Sequence, residues 1–201
     1  MSKNIYIEAG VCSLRYNTKP FYEQHKNEDW YYYLFEPNYL SFDNIVKKSK
    51  IYNIPNLKIY DKAAWNENCK KEFWLGNRLS KDGREKGRGS ASLFSGKGRL
   101  GTDKSEVDCI DFGKWVKENF LKEDYIYLRM DIEGSEYVVL PSMIKDGSID
   151  YVNCISLEFH AHKFRGKNRK IFEKIHKELK DFFKNCKNIK IEILEYINRI
   201  E

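Results

Sequence analysis

Short apolar runs that stop at acidic residues alternate with segments of helical spacing along most of the chain, as expected for a parallel sheet covered by helices on both faces. Ile5-Tyr6-Ile7 runs into Glu8-Ala9-Gly10, Tyr31 to Phe35 into Glu36-Pro37-Asn38, Leu57 to Tyr60 into Asp61, and Tyr125 to Met130 into Asp131. Val152 to Phe159 reads as a further buried strand ending at Glu158-Phe159-His160. Between these runs the spacing predicts a helix capped by Thr18 with Pro20 in its first turn, and a second from Tyr39 to Lys50. A third follows a cap at Asp111, and a short one over Ser135 to Leu140 is restarted or kinked by Pro141. The last, over Asn168 to Phe183, carries Ile171, Phe172, Ile175, Leu179 and Phe182 on one stripe. Ile189 to Ile197 is expected to close the sheet as an antiparallel edge strand.

The pattern fails between Arg78 and Lys104, which holds six of the 12 glycines together with Lys81, Arg84, Arg88, Lys97 and Arg99. A stretch of this kind is either a solvated insertion or a flap over a substrate with acidic groups. With 201 residues, 41% of them hydrophobic, the chain suffices for one well-buried core, so residues 1–201 are read as a single domain. There is no long apolar run and no signal-peptide pattern at Met1-Ser2-Lys3-Asn4, so no membrane insertion is expected. Five scattered cysteines without a C-x-x-C pair argue against a disulfide framework or a thiolate zinc site and fit a reducing, cytoplasmic setting. The formal charge of +6 permits an anionic partner without requiring one.

Glu8, Glu36 and Asp131 all fall at strand ends, where open α/β sheets bind ligands. An acidic residue after the second strand is placed to accept two hydrogen bonds from a ribose diol, which points to an adenosine-containing cofactor. Phe35-Glu36-Pro37-Asn38, Ala63-Ala64-Trp65, Ser90-Ala91-Ser92-Leu93, Val107 to Asp111 and above all Asp131-Ile132-Glu133-Gly134-Ser135-Glu136 occur in that order. Together, over about Tyr31 to His160, they resemble the FkbM-like S-adenosylmethionine-dependent methyltransferases.

The resemblance implies a class I methyltransferase (Rossmann-like) fold, doubly wound on a mostly parallel sheet. It implies that Glu36, with Asn38 beside it, holds the ribose of S-adenosyl-L-methionine. The adenine edge would lie near Asp61 to Ala63, and the methionine part near Glu8, Gly10 and Asp131. It also implies O-methylation of a hydroxyl on a sugar or glycan, such as a deoxyhexose. One departure is local: Leu14 stands where an acidic-x-Gly-x-x-x-Gly loop carries its second glycine, so the first loop must be shaped differently.

Two arrangements fit the transfer step. In the favoured one, Asp131 and Glu158 hold Mg2+ or another divalent cation with Glu133 or His160 nearby, lowering the acceptor hydroxyl's pKa. In the other, His160 or Asp131 is a direct general base. His160 and His162 could also be exposed loop histidines, and Glu133 could serve to bind backbone amides at Gly134. Trp65, Trp74 and Phe94, with basic side chains around Lys163 to Arg169, would suit a sugar or glycan acceptor. A nucleic-acid-binding or RNA-modifying module using the basic loop is the rival reading, without a recognisable zinc finger or RNA-binding signature to support it. A nucleotide-sugar enzyme lacks the G-x-G-x-x-G it would need. The immediate start of the first strand is compatible with one module of a larger polypeptide, or with substrate delivery by a partner.

Overall fold

A computed structural model of the protein describes residues 2–77 and 89–194. Along the chain come β1 (Asn4–Ala9), α1 (Thr18–His25), β2 (Trp30–Phe35), α2 (Tyr39–Tyr52), β3 (Leu57–Tyr60), β4 (Lys62–Trp65), β5 (Cys69–Gly76) and β6 (Leu100–Asp111). There follow α3 (Phe112–Asn119), β7 (Tyr125–Met130), α4 (Glu136–Asp146), β8 (Cys154–Glu158), α5 (Gly166–Asn185) and β9 (Lys190–Leu194). Six strands form one parallel sheet in the order β3-β2-β1-β7-β8-β9, and β4-β6-β5 form a smaller second sheet. The chain winds outward from β1 to β3 and later outward again from β7 to β9, so the winding reverses between β1 and β7. A crevice opens at such a reversal.

Alternation along the strands explains the two layers of helices. Ile5 and Ile7 of β1 point with Leu128 and Ile155 into a core shared with Val116 of α3, Leu140 of α4 and Phe172 of α5. Tyr6 points the other way, joining Tyr32 and Leu34 against Phe21 of α1 and Ile45 of α2. A strand buried on both faces needs this double covering.

Several expectations are corrected. β9 pairs with β8 in parallel, because α5 supplies the long crossover that a parallel partner requires. α4 runs through Pro141 without a break; one backbone bond is lost, while Tyr137, Leu140 and Met143 stay buried. Thr18 is the first residue of α1, and its hydroxyl donates to Glu8 at 2.6 Å instead of capping. Asp111 does cap α3, accepting from the Lys114 amide at 3.0 Å. The irregular stretch is shorter than expected: residues 100–104 belong to β6, antiparallel to β5. Thr102, Asp103 and Lys104 are all exposed and polar, which hides the strand's period. Its glycine- and arginine-rich part, residues 78–88, lies outside the described residues, so the flap expectation falls there. Residues 89–99 are tied down by pairing of Ser92 with Trp74 and of Gly98 with Lys163. Among the described residues no helix is long and apolar enough to cross a membrane.

Candidate active site

The register of the central strands brings the strand ends into one row. Ala9 pairs with both Phe35 and Met130, so the next residues, Gly10, Glu36 and Asp131, face the crevice together. The Gly10 amide donates to the Phe35 carbonyl at 2.9 Å, and the Asp131 amide to the Ala9 carbonyl at 3.0 Å. Gly10 has φ +85°, and a Cβ there would lie 1.9 Å from the Asp131 carbonyl oxygen. Glycine is therefore required by both conformation and space. The cleft above this row has a volume of about 340 Å³, within the range of small-molecule sites. Gly10, Glu36, Asn38, Ala63, Asp131 and Glu158 all line it. Glu8, Asp61 and His160 do not: Asp61 borders a separate shallow depression beside Lys70, and the other two are fully buried.

Glu36 is held by backbone amides. Its Oε1 accepts from Asn38 at 2.8 Å and its Oε2 from Cys12 at 2.6 Å, while burial pushes its pKa up to about 7. Glu8 anchors the first loop from below, accepting from Tyr6 at 2.8 Å, Asn17 at 2.9 Å and Thr18 at 2.6 Å. Burial raises its pKa. Leu14, in the place of a second glycine, is buried with Tyr6, Leu34 and Ile45. An apolar side chain thus moors this loop to the sheet, and Cys12 takes up the positive φ of 48°.

The turn after β7 is built on two positive-φ residues, Glu133 at 53° and Gly134 at 112°. Gly134 packs against Phe164, whose ring would lie 2.5 Å from a Cβ. The amide of Gly134 donates to Glu136 at 2.8 Å, so Glu136 performs the task expected of Glu133. Glu136 also accepts from the His160 amide at 3.0 Å and faces His160 Nδ1 at 3.1 Å. Far from being an exposed loop residue, His160 is fully buried, whereas His162 is exposed as expected. Its Nε2 lies 3.2 Å from Glu158, 3.3 Å from Asp131 and 3.6 Å from Glu133. Against the cost of burial, these carboxylates, Glu136 foremost, raise its pKa to about 10 and hold it as imidazolium. Burial opposes ionisation of Glu133, yet His160, Lys97 and Lys163 together hold its pKa down at about 2. Lys97, itself with a fully buried side chain, sits 2.9 Å from Glu133, and Lys163 lies 3.1 Å away. Asp131 is different: burial, reinforced by the charges of Glu158 and Glu133, raises its pKa despite His160.

Ligand atoms of Asp131, Glu133 and His160 lie within 4.8 Å of one another, and this compact group does not include Glu158. The donor types suit a divalent cation, but Lys97 and Lys163 already compensate Glu133, and the imidazole would have to release its proton to bind one. The group therefore fits a metal poorly. Trp65, Trp74 and Phe94 do not line the cleft; Trp65 is buried against Phe94, and Lys104 lies 4.0 Å over the Trp74 ring. The sequence patterns assign no role in the site to Arg129, Asn17 or Glu136. Arg129 does leave a sequence signal, as a charge inside an otherwise apolar and aromatic strand.

A family model described as the methyltransferase FkbM domain matches residues 8–189. No curated protein and no solved structure matches the chain.

Proposed function

Because the chain belongs to the methyltransferase FkbM family, we propose that it transfers a methyl group from S-adenosylmethionine to a hydroxyl oxygen of a sugar or glycan. The observation that carries this reading is the shared cleft in which Glu36 and Asp131 flank Gly10. The donor, when bound, supplies an electrophilic methyl on a sulfonium. Glu36, fixed by two backbone amides, keeps oxygen lone pairs for a ribose diol, and Ala63 borders the space for a flat base. Gly10 lets the first loop close against the Asp131 backbone, which keeps the two acidic strand ends on one cleft.

Asp131 is the base we assign. Its carboxylate lines the cleft with an elevated proton affinity, matched to taking a proton from the acceptor hydroxyl near neutral pH. His160 is already protonated at that pH, so its role is positioning: it links Asp131, Glu158 and Glu136 in one network. The charge balance around Glu133 favours this direct-base scheme over a metal-assisted one. A hydroxyl-rich acceptor suits the polar wall formed by Ser90, Ser135 and Glu158. The five free cysteines suit a reducing compartment.

Two measurements test the reading. Calorimetry should show uptake of S-adenosylmethionine and S-adenosylhomocysteine by the wild type. Labelled methyl groups should then appear on a hydroxyl when monosaccharides and glycans, deoxyhexoses included, are offered. Wild-type protein that takes up neither nucleoside at millimolar concentration would sink the proposal.

A further inference from the structure

Arg129 is the most unusual side chain of the cleft. It sits in β7 in register with Glu8 of β1 and Ser156 of β8, one row below Asp131, and only 14% of its side chain is exposed. Nη1 donates to Ser156 Oγ at 3.1 Å. Among the described residues Nε is buried without a hydrogen-bond partner, and Glu8 lies 3.9 Å away. Glu8 is committed elsewhere, to Tyr6, Asn17 and Thr18. A buried guanidinium with an unpaired donor is costly unless a ligand completes it.

Arg129 lines the same cleft as Glu36 and Asp131, as do Tyr16 and Asn17 of the first loop. Four of the described lining residues are acidic, and only Lys62 and Arg129 are basic. Lys62 precedes Ala63 in the chain, on the side of the base, whereas Arg129 faces the same Glu8 oxygen that Asn17 of the first loop bonds, two residues before Asp131. A methionine moiety extending past Asp131 carries an α-carboxylate that would otherwise enter a wall of acids. Planar, multiply donating arginine is suited to such a group.

We infer that Arg129 binds the α-carboxylate of the donor's methionine part and sets the selectivity of the cleft for amino-acid-bearing nucleosides over simpler ones. The inference rests on the donor assignment above, and its test separates the two. Calorimetry compares S-adenosylhomocysteine with 5′-deoxy-5′-(3-aminopropylthio)adenosine, the same molecule without its carboxyl group, on the wild type, Arg129→Gln and Arg129→Met. The wild type should bind the intact ligand about tenfold to a hundredfold more tightly, as expected for a charge-assisted contact. Both variants should lose that preference while binding the carboxyl-free ligand as the wild type does.

Equal affinity of the wild type for the two ligands would overturn the inference and leave the donor assignment standing. So would variants that lose both ligands alike, because Arg129 would then act only by shaping the sheet. A wild type that binds neither ligand would instead defeat the donor assignment. Should both variants fail to fold, the wild-type comparison alone still decides whether the cleft reads the carboxylate.

Discussion

Glu36 and Asp131 occupy equivalent places, each one residue past a parallel strand that flanks β1, and both have pKa values raised by desolvation. Their surroundings differ in kind. Two backbone amides fix Glu36, whereas Asp131 lies among an imidazolium and further carboxylates. Amides cannot change their protonation, so Glu36 is a static acceptor of hydrogen bonds. The neighbours of Asp131 are themselves charges, and its proton affinity is set by their balance. Two carboxyl groups in matching places are thus prepared for different work, one to hold and one to exchange a proton.

The sharpest way to break this contrast is Asp131→Asn. Turnover should fall about a hundredfold to ten-thousandfold, as for loss of a general base, with donor affinity within about tenfold of wild type. The wild-type rate should climb as pH rises through neutrality, since the carboxyl must first lose its proton, and the variant should show a flat profile. A variant with wild-type kcat would assign the proton transfer elsewhere.

Replacing His160 by Phe strips the central cation from four carboxylates. The expected loss is about 3–5 kcal/mol, as for breaking a buried ion pair. Thermal unfolding should register it as a melting point lower by roughly 10 °C for a chain of this size. Next in size is Glu36→Ala, which removes a static acceptor and leaves two amides unpaired; donor affinity in calorimetry should weaken about tenfold to a hundredfold, with kcat at saturation little changed.

A smaller effect concerns pH. His160 ordinarily titrates at 6.5 and is raised to about 10 in the fold. Its stabilising contribution is complete below the lower value and fades as pH rises through the higher one. The melting point of the wild type should therefore decline across that window, more steeply than that of His160→Gln. Smallest of all is the effect expected from a chelator, which should leave turnover unchanged because protein cations already balance Glu133. Restoration of lost turnover by Mg2+ would revive the metal-assisted scheme.

Much of the fold was legible because apolar, aromatic-rich runs end abruptly at acids. That signature located β2, β3 and β7 and placed Glu36 and Asp131 at the crevice. The pairing of β5 with the first half of β6 is not legible, since Thr102, Asp103 and Lys104 are all polar and exposed and owe their conformation to pairing. Around the site the acids themselves were legible but their division of labour was not. Which of Glu133 and Glu136 bonds the Gly134 amide depends on a left-handed turn. The pairing of Lys97 and Lys163 with Glu133 arises from a contact between distant segments, visible only once residues 97 and 98 lie along 163 and 164.

Leu14 carries a final consequence. A glycine-rich loop gains its form largely from the ligand it wraps, and the ordering cost is subtracted from affinity. Here a hydrocarbon plug seated beneath the sheet's helical cover holds residues 11–17 in shape beforehand. Donor capture should accordingly proceed as a single bimolecular phase, with the observed rate rising linearly with nucleoside concentration and without a slow closing step.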